Sequence, residues 1–167
     1  NIAFTNALYH GVNASTGGLV GRVRNCAFLR NGWEAGAMLL KGRGCWVAGV
    51  RGSPLTFEGC EFRGNVLKAA KNGQYDANAG SGLYASWIEL SLTNCLFYGN
   101  RSAAGNASGN CLHLVGVSGQ SEVSVQNCRI EGNAAEGYVS GIAVTIYANK
   151  LKRLTLDNCL FATNTAS

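Results

Sequence analysis

Five of the seven cysteines in this chain of 167 residues recur at a near-fixed interval: Cys26, Cys60, Cys95, Cys128 and Cys159 stand 31 to 35 residues apart. Regularly spaced thiols invite disulfide formation or metal binding. If the interval lays one cysteine over the next in parallel strands, their Cβ atoms lie about 4.8 Å apart, beyond the roughly 3.5–4.5 Å of a disulfide. Four-coordinate zinc fails on the same geometry, because inward thiols a whole repeat apart do not converge to about 2.3 Å from one ion. Only His10 and His113 are available to help. The five are expected to be buried thiols acting as small hydrophobes. Cys111 takes the same reading, inward and beside Leu83 and Ile142 of neighbouring repeats. Cys45, within RGCWVAGVRG, is expected in a loop and is the candidate for external pairing or reaction.

Carboxylates would point to sugar cleavage, which uses paired acids on an outer face. The chain has Asp76, Asp157, Glu34, Glu58, Glu61, Glu89, Glu122, Glu131 and Glu136. They read as mostly isolated, at corners or outward strand positions. Glu58 and Asp157 share a column but stand three repeats apart, about 15 Å at the strand spacing. No Ser-His-Asp set emerges, so no catalytic residue, metal or cofactor is expected. Three glycosylation triplets begin at Asn13, Asn100 and Asn106. Asn106 and Asn13 are the expected acceptors, because a glycan on Asn100 would pull its amide out of a stacked column.

The elements that position these residues follow from the repeat. VRNCAFLRN, FEGCEFRGN, LTNCLFYGN, VQNCRIEGN and LDNCLFATN end at Asn31, Asn65, Asn100, Asn133 and Asn164, and FTNALYHGV at 4–12 reads as a degenerate sixth copy with Ala7 in the cysteine column. Similarity at this period signals stacked units. Leu90-Ser91-Leu92-Thr93 alternates as a half-buried strand does. The residue before the cysteine is Asn6, Asn25, Gly59, Asn94, Asn127 or Asn158. Asn alternating with Gly marks a positive φ, hence a sharp corner. Alternation then resumes with Cys95 and Phe97 inward and Leu96 outward. Glycine-rich entries at 17–20, 35–40, 81–86, 109–114 and 140–146 open a third strand. The Asn31 to Asn164 column is expected to form an amide ladder at a second corner.

The fold expected from this pattern is all-β, a right-handed single-stranded parallel β-helix of about six coils with three short strands each. It spans 1–167 as one segment, expected to be a fragment of a longer surface protein because both ends stop mid-pattern. Composition agrees: 23 Gly, one Pro and 14% charged residues suit tight turns, and 47% hydrophobic residues supply a core. Length variation falls at 41–54, 66–79, 115–122 and 147–153, where recognition would vary.

The glycine entry Ser81-Gly82-Leu83, followed by the corner Phe97-Tyr98-Gly99-Asn100, resembles the polymorphic outer membrane protein repeat. Phe28 to Asn31, Phe62 to Asn65 and Phe161 to Asn164 repeat the second half of that motif. The resemblance implies an extended adhesin or spacer, located outside the cell or on its surface, with flanking coils of a parent chain and surface proteins, matrix proteins or glycans as partners. The net charge of +5 is scattered, so nucleic acid is not expected as a partner, and no apolar run is long enough to span a bilayer. The hydroxyl column Thr56, Ser91, Ser124 and Thr155 is flanked by charged residues, which excludes a regular ice-binding plane.

Overall fold

The structure is a computed structural model that describes residues 1–7, 11–14, 20–32, 44–68, 79–103, 109–115, 122–135, 144–147 and 152–166. Among these residues there is no helix, and every strand pairing is parallel.

A six-stranded sheet stacks Ala3–Thr5, Ala27–Leu29, Glu61–Arg63, Leu96–Tyr98, Arg129–Glu131 and Leu160–Ala162 in chain order. Its register aligns Phe4, Phe28, Phe62, Phe97, Ile130 and Phe161 in one column. Phe28, Phe62 and Phe97 stack with ring centroids 4.8 and 4.6 Å apart, and each fully buried ring contributes roughly 1.5–3 kcal/mol. A four-stranded sheet stacks Val66–Lys68, Arg101–Ala103, Ala134–Ala135 and Thr165–Ala166.

An eight-stranded sheet closes each tier. Val12–Ala14 and Gly21–Arg24 both pair with Cys45–Glu58, which pairs with Ala79–Thr93. That strand pairs with Gly109–Val115 and Glu122–Gln126, which lead to Val144–Tyr147 and Arg153–Asp157. In the two middle tiers, therefore, one long strand replaces two of the three short strands expected. A register shift between Ala48 and Ser53 lets one strand serve both rows.

Both corners carry positive φ. Before the cysteines, Asn25, Gly59, Asn94, Asn127 and Asn158 have φ of 50, 62, 54, 53 and 47°. The second corner repeats this at Arg30, Gly64, Gly99, Gly132 and Thr163, a bend the sequence pattern did not announce because Arg and Thr rarely adopt it.

Four expectations are corrected. Phe4 pairs with Phe28, and the Ala27 amide donates to the Ile2 carbonyl as the Glu61 amide does to that of Cys26. Ile2, not Ala7, therefore holds the cysteine position of the first tier, and Asn6 belongs to the second corner. The two corners share an x-x-Asn signature, which misled the alignment by five positions. Residues 45–54 are strand rather than loop, and in the first tier the third strand is Val12–Ala14, with Val20 outside it and 65% exposed. Leu112, not Cys111, pairs with Leu83 and with Val144, because Ser81 and Gly82 together face Cys111 at a bulge. The segments 35–40 and 69–78 lie outside the described residues.

Candidate functional site

The core columns come first, because the corners aim them. Cys26, Cys60, Cys95 and Cys128 are 9, 1, 2 and 0% exposed, Cys159 is half-buried, and none of the seven cysteines is in a disulfide. Each sulphur in the column keeps the same contacts. Cys60 Sγ lies 3.5 Å from the Val23 carbonyl, Cys95 Sγ 3.5 Å from that of Phe57, Cys128 Sγ 3.7 Å from that of Leu92, and Cys159 Sγ 3.3 Å from that of Val125. Those four carbonyls belong to residues in register with one another, so the sulphurs repeat by one tier translation.

Environment separates the thiols electrostatically. Burial pushes Cys45 and Cys111 well above the ordinary range, since an ionised sulphur there has no water. Cys95 is also held up, by hydrogen bonding with Cys128 and then Cys60 and by burial. Hydrogen bonding from Cys95 draws Cys60 and Cys128 down to about 7, against the desolvation that acts on both. Cys45 is 1% exposed, within a strand between Val12 and Leu83, so it is not the loop thiol open to reaction that the sequence indicated.

The amide column is continuous. Asn31, Asn65, Asn100 and Asn133 each donate from Nδ2 to the Oδ1 of the next asparagine, at 3.0, 2.9, 3.0 and 2.9 Å, the last acceptor being Asn164. Each Oδ1 also accepts the backbone amide of the preceding asparagine. Gly11, Gly44 and Gly82 lie against this column: a Cβ on Gly44 would meet the Gly82 carbonyl at 2.3 Å and Asn65 Nδ2 at 2.8 Å. That close approach is the physical reason for the glycine-rich entries. At the cysteine-side corners the amides meet once, where Asn158 Nδ2 donates to Asn127 Oδ1 at 2.7 Å.

On the outer surface a shallow groove of about 190 Å³ is lined by Pro54, Thr56, Glu89, Ser91, Glu122 and Ser124, with Leu55 and Leu90 at its floor. Thr56, Ser91, Ser124 and Thr155 are in register across four tiers. Glu89 and Glu122 share this groove, which corrects the reading of the acids as isolated. Both precede a column hydroxyl by two residues, and that shared offset was the available signal. Lys152 Nζ stands 2.9 Å from Glu122 Oε1 and holds that carboxyl below its usual range. The groove thus presents hydroxyls and two carboxylates, one of them paired with Lys152, a set suited to hydrogen-bonding a polyhydroxylated ligand.

Other expected positions are dispersed. Glu58 pairs with Arg24 at 2.9 Å on the surface, and Asp157 lies three tiers along the same column. His113 is fully buried in a strand and stacks on Tyr84 with centroids 5.5 Å apart. Asn13 is exposed in a strand opposite Trp46, and Asn100 is 1% exposed. Asn106, His10, Glu34, Asp76 and Glu136 lie outside the described residues. Among the described residues no three metal-ligating side chains converge, and no helix is long and apolar enough to cross a membrane. Comparison with protein-family models, with curated proteins and with solved structures returned no match.

Proposed function

We propose that the chain is a right-handed parallel β-helix, akin to the polymorphic outer membrane protein repeats, and works at or outside the cell surface as a stiff spacer that presents its outer face to a protein or glycan. The observation that carries this reading is the unbroken amide column, with the stacked Phe28, Phe62 and Phe97 rings beside it, running through successive tiers. Continuous columns tie each tier to its neighbours, and six strands at the parallel spacing extend about 24 Å along one axis.

A carbohydrate-binding reading is favoured by the groove, whose Thr and Ser hydroxyls flank Glu89 and Glu122. Glu122, whose carboxyl Lys152 holds below its usual range, can accept hydrogen bonds from sugar hydroxyls; an ionised acid equally suits a retaining pair, so binding and cleavage are scored separately. The test pairs a panel of soluble polysaccharides, scored for binding and for chain cleavage, with the Ser91→Trp variant, which fills the groove. Binding lost in that variant without release of reducing or unsaturated ends supports the presenting role. Cleavage by the parent chain overturns it.

A further inference from the structure

Five thiols in one buried file offer a coordination geometry that the zinc argument does not touch. We propose that this file binds a soft divalent ion with linear two-coordinate preference, of which mercury(II) is the type, between consecutive cysteines.

Three observations carry the assignment. The sulphurs of Cys60, Cys95, Cys128 and Cys159 hold equivalent carbonyl contacts in successive tiers, so neighbouring sulphurs are separated by one strand spacing, about 4.8 Å. Two collinear metal–sulphur bonds of about 2.3 Å each, the length known for thiolate–zinc bonds, span about 4.6 Å, which fits that separation without moving a strand. Linear coordination is also the geometry left open when no three ligating side chains converge among the described residues.

Charge selects the valence. Each binding event forms two sulphur–metal bonds, breaks two S–H bonds and releases two protons to solvent: M²⁺ plus two RSH gives M(SR)₂ plus two H⁺. The product is neutral, as a site walled by Phe57, Phe62, Leu92 and Phe97 requires. A monovalent ion would leave one negative charge there. Soft sulphur ligands disfavour hard ions such as calcium, and two collinear ligands leave the tetrahedral preference of zinc unmet.

The experiment titrates the folded full chain with mercury(II) chloride in a Cys45→Ala/Cys111→Ala background, which removes the thiols outside the file. Thiolate-to-mercury absorption counts ions, a weakly buffered trace at about pH 5, below the Cys60 and Cys128 thiols at about 7, counts protons, and far-ultraviolet circular dichroism follows the sheet. Five thiols in a row contain at most two separate neighbour pairs, so saturation is expected at two ions and four protons per chain with the sheet signal retained. Cys95→Ala leaves Cys26 with Cys60 and Cys128 with Cys159, and keeps two ions. Cys60→Ala isolates Cys26 and drops the count to one. Cys60 and Cys95 are buried alike, at 1 and 2% exposure, so general damage to the core does not reproduce this difference. Should an alanine variant lose the sheet signal, the serine variants at the same positions are scored instead, and the parent count still decides. Equal counts in the two variants, fewer than two ions in the parent, or binding only after the sheet signal is lost overturns the proposal.

Discussion

Replacing Asn100 by alanine tests whether the buried amide column holds the tiers together. Asn100 Oδ1 accepts the Asn65 backbone amide at 3.1 Å and Asn65 Nδ2 at 2.9 Å, and its own Nδ2 donates to the Phe62 carbonyl at 2.7 Å. Removing the side chain orphans two donors of Asn65, a residue with 0% exposure. Each unsatisfied buried donor costs about 1–3 kcal/mol, so Asn100→Ala is expected to lose about 4 kcal/mol. Asn164→Ala provides the internal comparison. It removes the same two bonds to the residue before it, Asn133, but Asn164 is only half-buried. Asn133 is itself 1% exposed, but the half-buried Asn164 side chain stands between it and solvent, so its removal opens the orphaned donors to water and lowers the expected loss to about 1 kcal/mol. Urea unfolding followed by circular dichroism measures both, with stability taken from the midpoint at unchanged slope. Losses within about 0.5 kcal/mol of each other would show that burial does not set the value of these bonds, and the reasoning would fail.

Further outcomes follow from other positions. Gly59→Val forces a β-branched residue to φ of 62° and sets its Cβ 2.5 Å from Asn25 Oδ1, for an expected loss of roughly 1–3 kcal/mol. Glu58→Ala removes only the exposed pair with Arg24, worth under about 1 kcal/mol; equal melting temperatures for the two variants would contradict the corner assignment. Ser102 Oγ is buried with no hydrogen-bond partner among the described residues, so Ser102→Ala should leave the melting temperature unchanged or higher, and a drop of several degrees would expose an unrecognised role. Burial raises the Cys111 thiol, so the folded chain keeps this proton where the unfolded chain releases it. Stability is then lost as pH climbs past the ordinary thiol value of 9.0. Between about pH 9 and 10.5 the parent should lose about 1.6 kcal/mol in all more than Cys111→Ala, the slope rising toward about 1.4 kcal/mol per pH unit, and parallel denaturant-midpoint curves would refute the assignment.

The sequence by itself determined what a period can encode. Asn or Gly before each cysteine announced a left-handed bend, and φ of 47–62° stands at Asn25, Gly59, Asn94, Asn127 and Asn158. Alternation around Cys95 and Phe97 announced which side chains turn inward, since successive strand residues face opposite sides; both are buried, at 2 and 0% exposure. Register between tiers was not encoded as firmly. Two corners with the same x-x-Asn signature let the first copy slip, and only the pairing of Phe4 with Phe28 fixed it. The bulge opposite Cys111 was likewise invisible, because a strand that gains one residue in one tier keeps the same alternation on either side. The groove belongs wholly to tertiary structure. Glu89, Glu122 and Lys152 are separated by about thirty residues at each step, and what brings them side by side is stacking across strands, a relation that no local spacing expresses.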